Sequence, residues 1–214
     1  MPEQHPLLKN LGNIVDDLWG EVTRPAAPAQ PAPAEDAPAG PAYRSTFPPF
    51  EQLWKTADDV VDWTDALAHE RPTDGLTSER LWGFFHEHAA RVLAGDTAAY
   101  VEVLRTAHPL GDLSAYAGGF DVDAVSADRL AVRFDPHAAY MSADPGEVRR
   151  YLCAVALRTA RDLMALLPVR EVEVQADWQG KPALQVVFDR RELQKVRFSF
   201  IDPVAFVTGC GAAF

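Results

Sequence analysis

The stretch DPGEVRRYLCAVALRTARDLMALLP, residues 144–168, decides the fold. Asp144 is an N-cap carboxylate. Pro145 takes the first helical position, where a missing N–H costs nothing, and Glu147 stands three residues on to bond back. Pro168 ends the run because it cannot continue the hydrogen-bond ladder. Between these signals, Tyr151–Leu157 is the longest uninterrupted apolar run in the chain. A helix apolar nearly all round has to be buried nearly all round. The spacing therefore predicts a central core helix reaching about Leu167. Its apolar run is far short of the roughly 20 residues needed to cross a bilayer.

Outward from this helix the apolar period changes to two. On the N-terminal side Phe120, Val122 and Ala124 alternate with Asp121 and Asp123, and Leu130, Val132 and Phe134 alternate with Ala131 and Arg133. Ser126-Ala127-Asp128 between them reads as a turn, so the pair predicts a β-hairpin. On the C-terminal side Val172, Val174, Ala176 and Trp178 alternate with Glu171, Glu173, Gln175 and Asp177. Gln179-Gly180 turns the chain, since glycine accepts positive φ, and Leu184, Val186 and Phe188 return it. Asp189-Arg190-Arg191-Glu192 is a capping box opening a short helix, and Asp202-Pro203 opens another that ends near Gly209. The order hairpin, helix, hairpin, helix predicts an α+β fold with a four-stranded, mostly antiparallel sheet and helices on one face.

Three helices are expected upstream as a cap. The first covers Glu51–His69, with Leu53, Ala57, Val60, Val61 and Leu67 at helical spacing. Thr77 or Ser78 caps the second, which carries Leu81, Phe84, Phe85, His88 and Val92 and is closed by Gly95. Asp96 caps the third through about Ala107, with Tyr100, Val101 and Leu104 inward. His108-Pro109 stops it, and a glycine-rich loop is expected through Gly118-Gly119. The globular domain thus spans about 44–214, with a helical part over 44–110 and a ββαββα part over 111–214.

Ahead of it, Arg24–Tyr43 holds six Pro and eight Ala in 20 residues. It offers nothing large to bury, and proline blocks helix and ladder alike. An extended tether over 24–43 is expected, up to ~60 Å long at about 3.1 Å per residue. Residues 1–23 carry Leu7, Leu8, Leu11, Ile14, Val15, Leu18, Trp19 and Val22 at helical period. An isolated amphipathic helix of that length is marginal in water, so its apolar face wants a surface. Leu11, Ile14, Leu18 and Trp19 are its candidate partner-binding residues, whether the surface belongs to this chain, a second copy or another protein. Its acidic polar face argues against a membrane surface.

The chain of 214 residues has a formal net charge of -11. Residues 1–144 hold 10 Lys+Arg and 23 Asp+Glu, whereas residues 145–214 hold 10 and 8. Such an acidic chain is repelled by phosphate backbones unless it gathers its cations. Arg190, Arg191, Lys195 and Arg197 are the candidate nucleic-acid contact, although Asp189 and Glu192 among them also fit a solvated helix face. The N-terminus lacks a basic patch leading into an apolar stretch, and two cysteines, Cys153 and Cys210, are too few for a disulfide framework. The expectation is a bacterial-type cytoplasmic protein without a secretory signal.

No glycine-rich phosphate loop, GxGxxG, GxSxG or CxxC occurs. His86 and His88 point about 200° apart on a helix, too divergent to chelate one ion, and His88 fits a core histidine. Asp58, Asp62 and Asp65 would share one helix face, where a hard cation or plain water could sit. Asp189, Glu192 and Lys195 have the residue types of a nuclease site but the spacing of an i, i+3 ion pair. No catalytic residue, metal ligand or cofactor is assigned.

The segments VALRTARDLMAL (155–166), VEVQADW (172–178), LQVVFDRRELQKV (184–196), FSFIDPVAF (198–206) and GAAF (211–214) resemble an accessory module of bacterial restriction-endonuclease-like proteins. That module precedes an Mrr-like catalytic domain. The stretches YVEVLRTAHPLGDL (100–113) and RLAVRFDP (129–136) fit the same unit, so the resemblance covers roughly residues 100–214. It implies a recognition or assembly role without the nuclease, because the chain stops where the catalytic domain would begin. No PD-(D/E)xK pattern occurs. The leading expectation is a non-enzymatic interaction or assembly module. A nucleic-acid-associated accessory protein and a metal-dependent hydrolase using Asp58, Asp62 and Asp65 are the alternatives.

Overall fold

In chain order the computed structural model places a 3-10 turn at Leu53–Lys55, α1 at Trp63–Ala68, α2 at Glu79–Leu93 and α3 at Thr97–Ala107. A second 3-10 turn at Asp112–Ala115 leads into β1 (Ala117–Ser126) and β2 (Arg129–Pro136). Then come α4 (Ala138–Met141), α5 (Pro145–Leu166), β3 (Glu171–Trp178) and β4 (Lys181–Asp189). α6 (Arg190–Leu193), a 3-10 turn at Phe198–Phe200 and α7 (Pro203–Gly209) complete the order. The structure describes residues 49–73 and 77–214. The helix expected over 1–23, its residues Leu11, Ile14, Leu18 and Trp19, and the tether over 24–43 lie outside the described residues.

The helix starts follow from local chemistry. The Asp96 carboxylate accepts from the N–H groups of Ala98 and Ala99, Asp189 from Arg191 and Glu192, Asp144 from Gly146, and Asp202 from Ala205. Ser78 accepts from Leu81 N–H. Each such cap satisfies orphan donors in a first turn and contributes about 1 kcal/mol.

The sheet runs β1-β2-β3-β4, with antiparallel outer pairs and a parallel central pair. A parallel neighbour needs a long crossover, and α5 supplies it. Val132 faces Val174, and Val174 faces Val186, so the alternation sets one apolar face. Leu130, Val132, Phe134, Val172, Val174, Ala176, Leu184, Val186 and Phe188 are all buried there. The opposite face is polar, laced by Arg129–Glu173 and Arg133–Asp121 ion pairs at 2.7 Å each. Gln179 (φ 51) and Gly180 (φ 75) both take positive φ, the geometry a two-residue hairpin demands.

Every residue from Tyr151 to Ala160 in α5 is buried. The helix lies against β3 and β4 on one side and against the Leu53–Lys55 turn and α7 on others. Trp63, Phe85 and Tyr100 of the helical cap belong to the same apolar cluster as the strand residues, so cap and sheet share one core.

Two local expectations need correction. Residues 51–69 are not one helix: after Leu53–Lys55 the chain is extended to Asp62, and only Trp63–Ala68 is helical. Residues 56–63 are engaged by α5 instead, through backbone and side chain. Asp58 N–H donates to Asp162 Oδ1 at 2.9 Å, Val61 N–H to the Ala165 carbonyl at 2.9 Å, and Trp63 Nε1–H to the Leu166 carbonyl at 2.7 Å. Gly118-Gly119, expected as loop, opens β1 as a bulge. Gly119 sits at φ +61, and a Cβ there would run into the Asp135 carboxylate. Only glycine fits that turn of the strand.

Candidate interaction site

The C-terminal half of α5 carries polar side chains on a buried face. Arg158, with 3% side-chain exposure, is the hub. Its Nε donates to Asp162 Oδ2 at 2.5 Å, Nη1 to Thr56 Oγ1 at 2.7 Å, and Nη2 to Asp112 at 3.0 Å and Asp58 at 3.4 Å. One guanidinium thus joins α5, the extended 56–62 segment and the 112–115 turn. Burial pushes the Asp58 carboxyl up to about 6, with Arg158 pulling it down and Asp112 and Asp59 pushing it up again. Burial also raises Asp162, against the pull of Arg158. Burial alone would lower Arg158, but Asp162, Asp112 and Asp58 together hold it above its ordinary value.

One turn along, Arg161 ties the same helix to the Leu53–Lys55 turn. Its Nη1 donates to the carbonyls of Trp54 at 2.6 Å and Thr56 at 2.9 Å, and its guanidinium carbon stands 3.8 Å from the Phe198 ring centroid. Burial lowers its pKa to about 10, so it remains cationic at neutral pH. These ties hold the 53–55 turn beside the 198–200 turn.

Between them opens a cleft of about 300 Å³, lined by Trp54, Lys55, Arg150, Phe200, Ile201 and Asp202 among others. Phe200 is 84% exposed, the most exposed large apolar side chain among the described residues. Trp54 is buried, and its indole Nε1–H has no acceptor. A buried donor left unpaired costs on the order of 1–3 kcal/mol. Lys55 Nζ stands 5.6 Å from the centroid of the Trp54 ring. Arg150 reaches Asp202 only at 3.5 Å, and both are about half exposed.

The residues singled out from sequence fall in several places. Arg190 turns inward: its Nε donates to the Val169 carbonyl at 2.7 Å, and its Nη2 to those of Met164 and Leu167 at 2.6 Å. It closes the C-terminal end of α5 and is separated from its neighbours. Arg191, Lys195 and Arg197 are exposed, and Lys195 pairs with Glu192 at 2.7 Å, the i, i+3 pairing the spacing implied. Asp58, Asp62 and Asp65 do not share a helix face. Asp58 joins the Arg158 hub, Asp62 caps α1 through the N–H groups of Thr64 and Asp65, and Asp65 accepts from Thr73 Oγ1. No group of three or more His, Cys, Asp or Glu among the described residues is arranged to hold a metal ion. His86 and His88 diverge: His86 Nδ1 contacts the Ala66 carbonyl at 2.7 Å, while His88 Nε2 meets Glu102 at 2.8 Å. The Cys153 thiol is buried in α5, and burial pushes it up to about 12; burial raises Cys210 as well.

Sequence reasoning missed both the hub and the cleft. The signal for the hub was present: Arg158 and Asp162 lie i, i+4 in the most extensively buried helix among the described residues, next to the longest apolar run, where a charge demands partners. The signal for the cleft was fainter, two alternating aromatics, Phe198 and Phe200, of which one faces out. No family model, curated protein or solved structure matches the chain. No helix among the described residues is long and apolar enough to cross a membrane.

Proposed function

We propose that the chain is a non-enzymatic protein-interaction module, whose globular domain presents the Phe200 cleft to a partner protein. One observation carries this reading: a phenylalanine 84% exposed among the residues that line a cleft of about 300 Å³. An aromatic anchor beside a preformed cavity is the usual centre of a protein interface. One wall is tied to the core helix α5, where Arg161 donates to the Trp54 carbonyl. In this reading Leu11, Ile14, Leu18 and Trp19 give the N-terminal helix a second apolar contact.

The test replaces Phe200 by a photo-crosslinking phenylalanine analogue in the full chain, expressed in its native host. A discrete adduct is expected from position 200 and not from Val125, which is 58% exposed on the polar sheet face. Equal crosslinking from both positions refutes the reading. In parallel, Leu11→Asp/Leu18→Asp is expected to change assembly size on a sizing column.

A further inference from the structure

Resting on the interaction reading above, we propose that the occupant of the Phe200 cleft is an acidic segment of a partner protein that carries a bulky apolar side chain. The chain is strongly acidic, with a formal net charge of -11. At this cleft the sign inverts. Lys55 and Arg150 line it, and Asp202 is the one acidic side chain in its wall. Arg161 lies behind it, donating to the Trp54 carbonyl.

The cations are only loosely committed. Asp202 spends Oδ1 on the α7 cap and meets Arg150 with Oδ2 at 3.5 Å. Lys55 has no carboxylate partner among the described residues; its ammonium rests over the Trp54 ring. An incoming carboxylate therefore gains charge-assisted hydrogen bonds from Arg150 and Lys55 without first breaking a strong pair. The apolar requirement comes from Phe200 and Ile201, and about 300 Å³ accepts one large side chain between them. An acidic peptide fits this set better than nucleic acid, because phosphate backbones extend well past the cleft into the field of an acidic chain.

The experiment uses the full chain and two labelled hexapeptides, Asp-Glu-Leu-Phe-Glu-Asp and Lys-Lys-Leu-Phe-Lys-Lys, read by fluorescence anisotropy at two salt concentrations. The acidic peptide is expected to bind at least roughly tenfold tighter, and to weaken with salt. Lys55→Glu/Arg150→Glu should reverse the preference, and Phe200→Ser should weaken both peptides. If the peptides bind alike, or the charge reversal leaves the preference unchanged, the acidic partner is wrong. Loss of that binding on Phe200→Ser would then still leave the cleft as an interaction site. If neither peptide binds, this proposal fails, while the crosslinking from position 200 separately decides the interaction reading. A labelled oligonucleotide that displaces the acidic peptide and binds more tightly overturns the assignment in favour of nucleic acid.

Discussion

Replacing Arg158 by Met tests the buried hub most directly. Arg158 and Asp162 have side-chain exposures of 3% and 0%, and Arg158 donates four hydrogen bonds to four side chains. Methionine keeps most of the stem and removes the charge. Asp162 is then left with the Asp58 N–H as its remaining partner in the hub. Breaking a buried pair from one side costs about 3–5 kcal/mol, a large share of a total near 5–15 kcal/mol. The stranded carboxyl escapes part of that cost by taking a proton. Its pKa is already raised by burial, and losing the guanidinium raises it further. Parent and variant differ in Asp162 ionisation only above the parent's folded-state value of about 8, and there each pH unit adds about 1.4 kcal/mol to the penalty until the variant's higher value is reached. Arg158→Met is therefore expected to be more damaging near pH 9 than near pH 7. Arg158→Met/Asp162→Leu removes both charges and should recover most of the loss, since a well-packed apolar pair replaces an ion pair at little cost. Urea unfolding of the full chain, followed by far-UV circular dichroism at both pH values, reads all of these. A loss below about 1 kcal/mol at pH 9, or a double variant as damaged as the sum of its singles, would refute the reasoning.

Asp58 gives a second pH signature. Its folded-state pKa of about 6 exceeds the ordinary 3.8, so the stability it contributes is full below about pH 4 and is lost as pH rises through 6. Asp58→Asn should match the parent near pH 4 and exceed it by about 1–2 kcal/mol near pH 8, after discounting for its partly exposed side; thermal melts across pH show whether the curves diverge in that direction. Gly119→Ala should cost about 1–3 kcal/mol, from positive φ and the Asp135 clash together, and in an Asp135→Ala background only the backbone part should remain. Arg190→Ala should cost about 2–3 kcal/mol by stripping three carbonyls of their donor, whereas Arg191→Ala and Lys195→Ala should stay within about 0.5 kcal/mol. Equal costs across those three in chemical denaturation would show that Arg190 does not close α5.

Much of the architecture was written in local signals. The period-two runs at 130–134, 172–176 and 184–188 became buried faces of β2, β3 and β4, and Ser78, Asp96, Asp144, Asp189 and Asp202 became caps. These signals act over two to four residues, and the partner is always nearby. What failed depends on partners about a hundred residues away. Leu53, Ala57, Val60 and Val61 have helical spacing, yet Val60 is 73% exposed. Arg158, Arg161 and Asp162 take up the backbone and side chains of 54–58, and no pattern within 51–69 announces them. The cleft was hidden for the same reason: Lys55, Arg150 and Phe200 come from three distant parts of the chain and meet only after α5 is in place.

The extended segment that replaces the expected first helix has one more consequence. By shape it is a connector, and connectors ordinarily trade their amide protons with solvent freely. Here the amides of Asp58 and Val61 are spent on α5. Those two sites should exchange at the slow pace of the central helix, so that a stretch with no periodic structure opens only when the middle of the molecule does.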